Sequence, residues 1–507
     1  MAVETELKLR ISPAHMARLR RHPFLRSLSS GRPQSRRLYN VYFDTPDRYL
    51  HQHAMALRLR RSGRQWLQTL KGGGGVQAGL HQRNEWEMPV PGDALQLEAL
   101  EQAGGMPLPG KVRKALRAEF VTDFTRSVRT LNFSGAVIEL GMDSGVIKAG
   151  RRTHTISELE LELKAGQPAQ LFELALALQE IVPLEVEGIS KAEYGYRLRD
   201  GVQPEVARAG AVVLQQDATL AQALQGMIWS CLAQLQDNVP GAVARLGDEY
   251  LHQIRVSLRR LRVLLGMAAA VQEDAELASL RQALADLSVE LGKLREWDVF
   301  VGATLPPARA QLAGLADMGG LIRYAEGMRR RQYMQTRRCL QAQGFQRLLL
   351  RFGAWMLGGY WTQQAWQDEA GGKQTPLHQF ARAVLRRHSK RTHRLHLQLA
   401  QAPSPEQLHR LRIACKKLRY SAELFASLYR HHGVKRYLAS LSAVQDMLGY
   451  LNDIHVARRL LAQVGSGKRH ETCVLIQGWV EHDYARHLQA LRKVWRQLER
   501  QPEFWAA

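Results

Sequence analysis

A short basic motif occurs twice in the C-terminal part of the chain. Residues 252–262, HQIRVSLRRLR, recur as residues 409–419, HRLRIACKKLR, an offset of 157 residues (409 minus 252). The same offset places Leu291-Gly292 on Leu448-Gly449 and Val299 on Val456, without a gap in between. Matching in one register over this distance is typical of a duplicated structural unit. The fold must therefore accommodate two related units, each expected to be a small helical bundle.

The spacing of apolar residues divides the chain near residue 210. Before that point, residues 4–10, 57–60 and 158–164 alternate between charged and apolar side chains, as β-strands with two different faces do. From residue 217 onward, apolar residues recur at intervals of three and four, which is typical of helices. With 507 residues, the chain is also too long for one ordinary core. We therefore expect a β-domain over 1–203, a linker over 204–216 and a helical domain over 217–503.

The formal net charge of +24 is unevenly distributed. Residues 1–200 contain 29 Lys and Arg against 22 Asp and Glu, a net charge of +7, whereas residues 201–507 contain 42 against 25, a net charge of +17. A charge of this size indicates a polyanionic partner, such as nucleic acid, an anionic membrane surface or a phosphate polymer. The helical part is the better candidate for binding it.

The sequence disfavours several other classes of protein. The four cysteines, at positions 231, 339, 415 and 473, form no C-x-x-C pair, so we expect neither a zinc site nor a disulfide framework. No apolar stretch is long enough to cross a bilayer, and the charged start MAVETELKLR lacks the apolar run of a signal peptide. We therefore expect a reduced, cytoplasmic protein without a membrane span.

Acidic side chains share one face of two predicted strands. Glu4 and Glu6 alternate with apolar residues on the first strand, and Lys8 follows on the same face. Two carboxylates about 7 Å apart on one strand can ligate a hard divalent cation through oxygen. A late strand repeats the pattern with three acids, Glu158, Glu160 and Glu162.

Basic side chains complete this set. Arg58 and Arg60 share one face of an early strand, and the further candidates are the cations Lys71, Arg83 and Arg126 and the acids Glu85, Glu87, Glu139 and Asp143. Phosphoryl transfer needs both kinds, because cations neutralise phosphate oxygens while acids hold the metal ions that activate water. The alternative is a barrel with ordinary cross-strand salt bridges on its outer surface. ExExK alone is a weak motif, but its conjunction with RxR and ExExE is much more specific.

Residues 1–200 resemble the CYTH domain, the family of triphosphate tunnel metalloenzymes. The resemblance rests on Glu4-Thr5-Glu6-Leu7-Lys8, Tyr42-Phe43-Asp44-Thr45, Leu57-Arg58-Leu59-Arg60, Leu70-Lys71, Arg83-x-Glu85, Ile138-Glu139 with Asp143-x-Gly145, Glu158–Glu162 and Lys191-x-x-x-Gly195-Tyr196. It implies an eight-stranded antiparallel β-barrel whose lumen binds the triphosphate. It implies Mg²⁺ or Mn²⁺ ligands among Glu4, Glu6, Asp143, Glu158, Glu160 and Glu162, and leaves open which late glutamate ligates directly. The residues expected to contact phosphate are Lys8, Arg58, Arg60, Lys71, Arg83, Arg126 and Lys191.

The resemblance also implies metal-assisted hydrolysis. One metal ion would bind the phosphate chain and a second would position a water, which Glu160 would orient or deprotonate. Lys8, Arg58 and Arg60 would stabilise the developing charge. Because no aromatic pocket for a base or thiamine is identifiable and a basic domain follows, inorganic triphosphate is the favoured substrate. The alternatives are an adenylate cyclase, a nucleoside or thiamine triphosphatase, and a non-catalytic polyphosphate-binding protein.

In the repeated motif, the basic residues form one stripe of a helix. The stripe comprises His252, Arg255, Arg259 and Arg262, and again His409, Arg412, Lys416 and Arg419. The apolar positions, which fall on the opposite, core-facing side, are Ile254, Leu258, Leu261 and Leu265, and Leu411, Cys415, Leu418 and Ala422. Like charges on one stripe repel by about 0.2–0.5 kcal/mol per pair, so keeping them in both copies indicates an anionic ligand. The alternative is a solvated face paired with acids of a neighbouring helix, such as Asp298 or Asp453.

Residues 220–500 resemble the CHAD domain, a helical module that binds inorganic polyphosphate. The resemblance rests on H-x-x-R-V-x-x-R-R-L-R and on LGKLREWDV at 291–299, whereas the second copy departs from the pattern at 452–456. It implies two pseudo-symmetric four-helix bundles flanking a basic groove, and a protein associated with cytoplasmic polyphosphate granules. Nucleic acid is disfavoured as the ligand because the stripe lacks interleaved aromatic residues for base stacking.

Overall fold

A computed structural model describes residues 2–77, 79–102, 107–210, 212–215, 218–314, 318–361, 376–464 and 470–506. The chain divides into two compact units that do not follow chain order. The barrel unit contains Met1–Ala207, Leu235–Tyr250 and Gln341–Trp361, and the helical unit contains Arg208–Gln234, Leu251–Leu340 and Thr362–Ala507. The predicted domain limits, 1–203, 204–216 and 217–503, stay a proposal. Positions 211 and 216 of the predicted linker lie outside the described residues.

The barrel unit is built on eight long antiparallel strands that close on themselves. They are β1 (Ala2–Arg10), β2 (Gln34–Asp44), β3 (Ala56–Ser62), β4 (Gln65–Gln77), β5 (Leu80–Val90), β6 (Arg117–Phe133), β7 (Ala136–Ala149) and β8 (Arg152–Ala165). Their order is β5-β4-β3-β2-β6-β7-β8-β1, and a β1–β5 pairing closes the barrel. The two-residue strand β9 (Glu185–Val186) pairs with the end of β1. The prediction of an eight-stranded antiparallel barrel is confirmed.

Short helices cover the outside of this barrel. They are α1 (Pro13–Arg21), α2 (Pro23–Leu28), α3 (Tyr49–Gln52), α4 (Leu97–Gln102), α5 (Gly110–Ala115), α6 (Ala169–Gln179) and α7 (Lys191–Asp200). Apolar strand residues pack against them; Leu57 and Leu70, for example, form one cluster with Leu100 of α4 and Val112 of α5. The apolar face of the strands therefore points outward into a covered core, and the charged face points into the lumen.

The C-terminal part is largely helical, as predicted. Its helices are α8 (Leu220–Ala244), α9 (Asp248–Val271), α10 (Ala275–Val299), α11 (Leu305–Gln311), α12 (Gly319–Gln341), α13 (Gln343–Leu357), α14 (Leu377–Leu397), α15 (Pro405–Leu424), α16 (His431–Val464) and α17 (His470–Glu499). A single π-helical turn, Phe300–Thr304, joins α10 to α11.

The internal duplication appears in the positions of these helices. α14 begins 157 residues after α8 (377 minus 220), and α15 begins 157 residues after α9 (405 minus 248). The predicted core-facing residues of both motifs are buried, at 0–1% exposure. In the helical unit, residues of both copies share one core, in which Trp297, Phe300 and Leu321 pack with Leu460 and Ile476.

Helix α13 belongs to the barrel unit although it lies far along the chain. It packs along α6, where Gly353 meets the ring of the fully buried Phe172. Its Gln343 and Gln346 side chains accept hydrogen bonds from the backbone N–H groups of Leu184 (3.0 Å) and Val186 (2.9 Å). Helix α13, from the second half of the sequence, thus binds the backbone of β9 and of the residue that precedes it.

We expect Gly353→Ala to destabilise the barrel unit. A Cβ at this position would lie 2.1 Å from the Phe172 ring, and overpacking of this kind costs about 1–3 kcal/mol of unfolding free energy. Gly344→Ala is the matched control, because it lies on the same helix with nothing within 4 Å of the added Cβ. Urea unfolding of both variants measures the difference, and equal stability would show that α6 and α13 are not in close contact.

Candidate functional site

The registers of the strands bring charged residues together inside the barrel. On β1, Lys8 lies opposite Glu160 of β8, and Glu6 lies opposite Glu162. On the other side of β8, Glu158 lies opposite Asp143 of β7, which in turn lies opposite Arg126 of β6. Directly opposed residues on neighbouring strands share a face, so these side chains line one side of the lumen.

Three buried carboxylates of this lining form a compact group, here called the acid triad. One oxygen from each of Asp143, Glu158 and Glu160 lies within 4.8 Å of the others. The Lys191 ammonium contacts all three, with its Nζ 2.7 Å from Asp143 Oδ2 and 2.9 Å from Glu160 Oε1. Lys191 is the first residue of α7, whose N-cap Ser190 accepts a hydrogen bond from the N–H of Glu193. The N-terminal end of α7 therefore places the ammonium of Lys191 among the carboxylates that line the lumen.

Two further cations balance the acid triad. Lys8 Nζ lies 2.7 Å from Glu160 Oε1 and 3.1 Å from Glu6 Oε1. Arg126 binds Asp143 in a bidentate manner, at 2.8 and 2.6 Å, and also contacts Glu160. Such bidentate pairs are the stronger kind of ion pair. Three acids and three cations thus form one buried network.

The network shifts the pKa values of neighbouring acids in opposite directions. Burial raises the pKa of Glu158 to about 7, and repulsion from Glu160 and Asp143 adds to this although Lys191 opposes it. Burial would also raise the pKa of Glu160, but Arg126, Lys191 and Lys8 together hold it well below its ordinary value. Neighbouring acids with pKa values pushed apart are typical of catalytic sites.

Across the lumen, two arginines of β3, Arg58 and Arg60, here called the cationic side, lie beside Glu85 and Glu87 of β5. Arg58 Nη2 lies 3.5 Å from Glu85, and Arg60 donates to Asn40 Oδ1 at 2.9 Å. Burial, Arg58 and Arg126 lower the pKa of Arg60 to about 10. Burial disfavours the charged guanidinium, and the two neighbouring arginines add repulsion to this. An anion bound beside Arg60 would offset both effects.

In the helical unit, the repeated basic stripes meet. Burial lowers the pKa of Lys416 to about 6, and three arginines add to the shift: Arg412, Arg259 and Arg255. Burial likewise lowers the pKa of Arg255 to about 10, with repulsion from Arg259, Arg295 and Arg412. Cations from both copies of the motif therefore face one another in a cluster here called the basic groove.

Comparison with known proteins agrees with this geometry. A model of the CYTH domain matches residues 2–196, and a model of the CHAD domain matches residues 226–462. The chain combines a CYTH domain with a CHAD domain. An inorganic triphosphatase of Haemophilus influenzae is 34% identical over 198 residues, which are 39% of this chain and 55% of that protein. The chain thus matches about half the length of this curated relative.

Solved structures extend the comparison. The crystal structure of a CHAD domain from the plant Ricinus communis is 29% identical, covers 58% of this chain and 96% of that one, and superposes with a TM-score of 0.50. A putative adenylyl cyclase from Hippeastrum, described as having a dominant triphosphatase activity, is 19% identical. It covers 40% of this chain and 98% of that one, with a TM-score of 0.30.

The CYTH lumen distributes the predicted metal ligands over more than one place. The acid triad contains Asp143, Glu158 and Glu160, whereas Glu6 lies beside Lys8. Glu4 contacts Lys71, which also lies 3.3 Å from Glu85. Glu162 contacts Lys164 nearer the rim, at 2.5 Å.

The predicted phosphate contacts are similarly spread. Lys8, Arg126 and Lys191 are bound to the acid triad, and Arg58 and Arg60 form the cationic side. Lys71 lies between Glu4 and Glu85, and Arg83 is the strand partner of Glu4. In the CHAD domain, Arg419 pairs with Glu423 at 3.0 Å, and His409 Nδ1 lies 3.4 Å from Asn452 Oδ1. His252 and Arg262 lie on the same helix as Arg255 and Arg259.

Sequence reasoning missed three residues of the CYTH lumen. Asn40 and Tyr42 lie opposite Arg60 and Arg58 on β2, and Arg58 hydrogen bonds with Tyr42. His81, opposite Glu6 on β5, is 1% exposed, and among the described residues neither ring nitrogen has a hydrogen-bond partner. Burial, with Lys8 and Arg83, lowers its pKa well below the ordinary value. The sequence did contain a signal for His81, because it lies two residues before Arg83 and so shares a strand face with Arg83, Glu85 and Glu87.

The acid triad fits a hard divalent cation. All three of its ligand groups are carboxylates, and Mg²⁺ and Mn²⁺ prefer oxygen ligands. The ammonium of Lys191 occupies the position of a cation among them, which shows that this place accepts positive charge. Asp143, Glu158 and Glu160 would hold the ion, and Lys191 would then be released toward an anion in the lumen.

We expect Lys191→Met to lower the unfolding free energy by about 3–5 kcal/mol, because removing one partner of a buried charge network leaves the others uncompensated. Added Mg²⁺ should restore stability more in this variant than in the wild type, since the ion can replace the lost ammonium. Urea unfolding with and without Mg²⁺ measures both effects.

The control for this variant is Lys164→Met. Lys164 forms a single ion pair and its side chain is 43% exposed, so its loss should cost less than about 1 kcal/mol. If both variants lost the same stability and neither responded to Mg²⁺, the acid triad would not be the metal site.

Proposed function

We propose that the CYTH domain hydrolyses inorganic triphosphate to pyrophosphate and phosphate with the help of Mg²⁺ or Mn²⁺. The observation that carries the proposal is that one closed lumen holds an acid triad on β7 and β8 and two arginines, Arg58 and Arg60, on β3. A short phosphoanhydride chain needs both, because its oxygens need cations and its metal ions need carboxylates. The named triphosphatase relative supports the choice of reaction.

Each lumen residue has a proposed role. Arg58 and Arg60 bind the phosphate oxygens, and Arg126 links the cationic side to the triad through Asp143 and Glu160. Glu160 stays ionised because of its three cationic partners, so it can accept a hydrogen bond from the attacking water. Lys8, which lies between Glu6 and Glu160, stabilises the charge that develops on the phosphate chain.

The bound metal ion would supply a Lewis acid for the phosphate oxygens and a more acidic water. Glu4 and Glu6 remain proposed ligands together with the triad, and Lys71 and Arg83 remain proposed phosphate contacts beside Glu4. Glu162, which lies against Lys164, is the candidate that the geometry supports least.

The preference for an inorganic substrate rests on the lining of the lumen. The charged groups found there are carboxylates, amines and guanidiniums. Phe124, on the same face of β6 as Arg126, lies against Arg126 and Lys191 and is only 3% exposed. Stacking of a base or thiamine ring needs an exposed aromatic face, and Tyr42 is buried with its ring stacked on Phe120. Adenylate cyclase and nucleoside or thiamine triphosphatase activities are the rivals. Product analysis with ATP, thiamine triphosphate and tripolyphosphate distinguishes them, and cyclic AMP as product would overturn the proposal.

We expect Glu160→Gln to lower kcat for tripolyphosphate by about 100-fold or more, as for loss of a group that positions or deprotonates the nucleophile. Glu162→Gln on the same strand face should have a much smaller effect, because Glu162 pairs with Lys164 instead. Phosphate release at saturating Mg²⁺ measures both variants. Equal losses would mean that the metal site involves the whole glutamate row rather than the triad.

The CHAD domain is proposed to bind inorganic polyphosphate in the basic groove. Cations from both repeats crowd there at a cost in repulsion, as the lowered pKa values of Arg255 and Lys416 indicate. Asp453 reduces this repulsion only in part, because the pKa of Lys416 remains low beside it. A bound polyanion would reduce the repulsion between these cations. Polyphosphate carries negative charges at regular intervals, and the stripe carries positive charges at regular intervals along its helix. We also propose a cytoplasmic location and an association with polyphosphate granules. Separately, the described helices include none with an apolar stretch that could cross a bilayer.

We expect the double variant Arg255→Glu and Arg412→Glu to weaken binding of long-chain polyphosphate at least tenfold, or about 1.4 kcal/mol, without changing tripolyphosphate hydrolysis. The charge-matched control is Arg61→Glu with Arg151→Glu, two exposed positions of the CYTH domain. Filter binding or anisotropy with labelled polyphosphate measures affinity. Equal affinity of the double variant and its control would show that the stripes are structural.

A further inference from the structure

A second basic surface lies on helix α14, outside the repeated motif. Five basic side chains of this helix line a cavity of about 800 Å³ together with Ala383: Arg386, Arg387, Lys390, Arg391 and Arg394. All five are exposed. We call this set the α14 surface.

The α14 surface has no acidic counterpart among the described residues. None of its five cations forms an ion pair with a described carboxylate within 4.0 Å, whereas Arg419 and Arg260 of the neighbouring helices both contact Glu423. The cavity lining likewise contains no carboxylate. Uncompensated like charges on adjacent helical turns repel one another, so the helix is less stable for carrying them.

One neighbouring lysine, Lys417, reflects the positive charge of this surface. Burial lowers the pKa of Lys417 on α15, and the cations Arg391, Arg262, Arg281 and Arg387 lower it further. The adjacent Lys416 is instead surrounded by Arg412, Arg259 and Arg255 of the basic groove. Consecutive residues of a helix point about 100° apart. Lys417 therefore faces the α14 surface and Arg262, whereas Lys416 faces the basic groove.

The equivalent helix of the first copy carries none of these charges. α14 begins 157 residues after α8, so the equivalent positions in the first copy are 229, 230, 233, 234 and 237. They are occupied by Trp229, Ser230, Ala233, Gln234 and Asp237. α8 contains no Lys or Arg at all, although it forms a helix at the same place in its repeat. The positive charge is thus a property of the second copy alone. It occupies an exposed face of α14, whereas Trp229 and Gln234 of α8 are buried.

We infer that the α14 surface is a second site for inorganic polyphosphate, which binds a chain segment separately from the basic groove. The inference rests on the proposed polyphosphate binding of the CHAD domain. From Arg386 to Arg394 the helix rises about 12 Å, which gives an extended row of cations rather than a single anion pocket. The cavity lining contains no aromatic side chain on which bases could stack, so a phosphate polymer fits better than a single-stranded nucleic acid.

The test compares two triple variants of the full chain with the same change in charge. The first removes Arg387, Lys390 and Arg391 as R387A/K390A/R391A, and the control removes three exposed arginines of α1 as R18A/R20A/R21A. We expect the first to bind long-chain polyphosphate at least fivefold more weakly than the control, with a shallower dependence of affinity on salt concentration. Thermal unfolding and tripolyphosphate hydrolysis should be unchanged in both.

The outcomes separate this inference from the proposed function. If the wild type itself did not bind polyphosphate, the proposed CHAD function would fail. If the wild type bound it and the two triple variants bound it equally, the basic groove alone would be the site and the inference would be wrong. If R387A/K390A/R391A lost affinity for single-stranded RNA but kept its affinity for polyphosphate, the α14 surface would be a nucleic-acid site and the inference would again be wrong.

Discussion

The structure of the CYTH domain depends on a buried network of opposite charges. Asp143, Glu158 and Glu160 would each be costly to bury alone, by several kcal/mol per ion. They are tolerated because Lys8, Arg126 and Lys191 lie within hydrogen-bonding distance. A closed barrel provides such proximity, since its register fixes which side chains meet across every strand pair. The same closure puts the apolar faces outside, so helices must cover them.

The sequence predicted which residues share a face, but not which residues meet. Alternation alone placed Glu4, Glu6 and Lys8 together, because the side-chain period of a strand is two. It could not give the register between β1 and β8, because these strands lie about 150 residues apart in the chain and meet only when the barrel closes. It also could not place Lys191 among the acids, because Lys191 lies on a helix whose docking is a tertiary property. The closed eight-stranded architecture came from resemblance rather than from periodicity.

Domain organisation was harder to predict than secondary structure. The change from alternation to helical periodicity correctly separated the two kinds of structure, yet α13 packs in the barrel unit. Its apolar pattern is that of any amphipathic helix, and only the close approach of Gly353 to Phe172 identifies its partner. Because Gln343 and Gln346 bind the backbone at Leu184 and Val186, α13 supports the segment that leads into α7 and Lys191. The segment that carries Lys191 into the lumen is therefore held by residues that follow the CYTH match by more than a hundred positions.

The duplicated helices show how one backbone can carry two different surfaces. Packing constrains the core-facing residues, so Ile254 and Leu411 are equally buried in their two copies. Exposed positions are free of that constraint, and each can change its charge at a cost of only tenths of a kcal/mol. Arg255 and Arg412 have kept the same charge at equivalent positions, whereas Arg387 replaces Ser230. A charge retained in both copies is best explained by a ligand shared by the two halves. A charge present in one copy only is best explained by a contact that a symmetric groove cannot make.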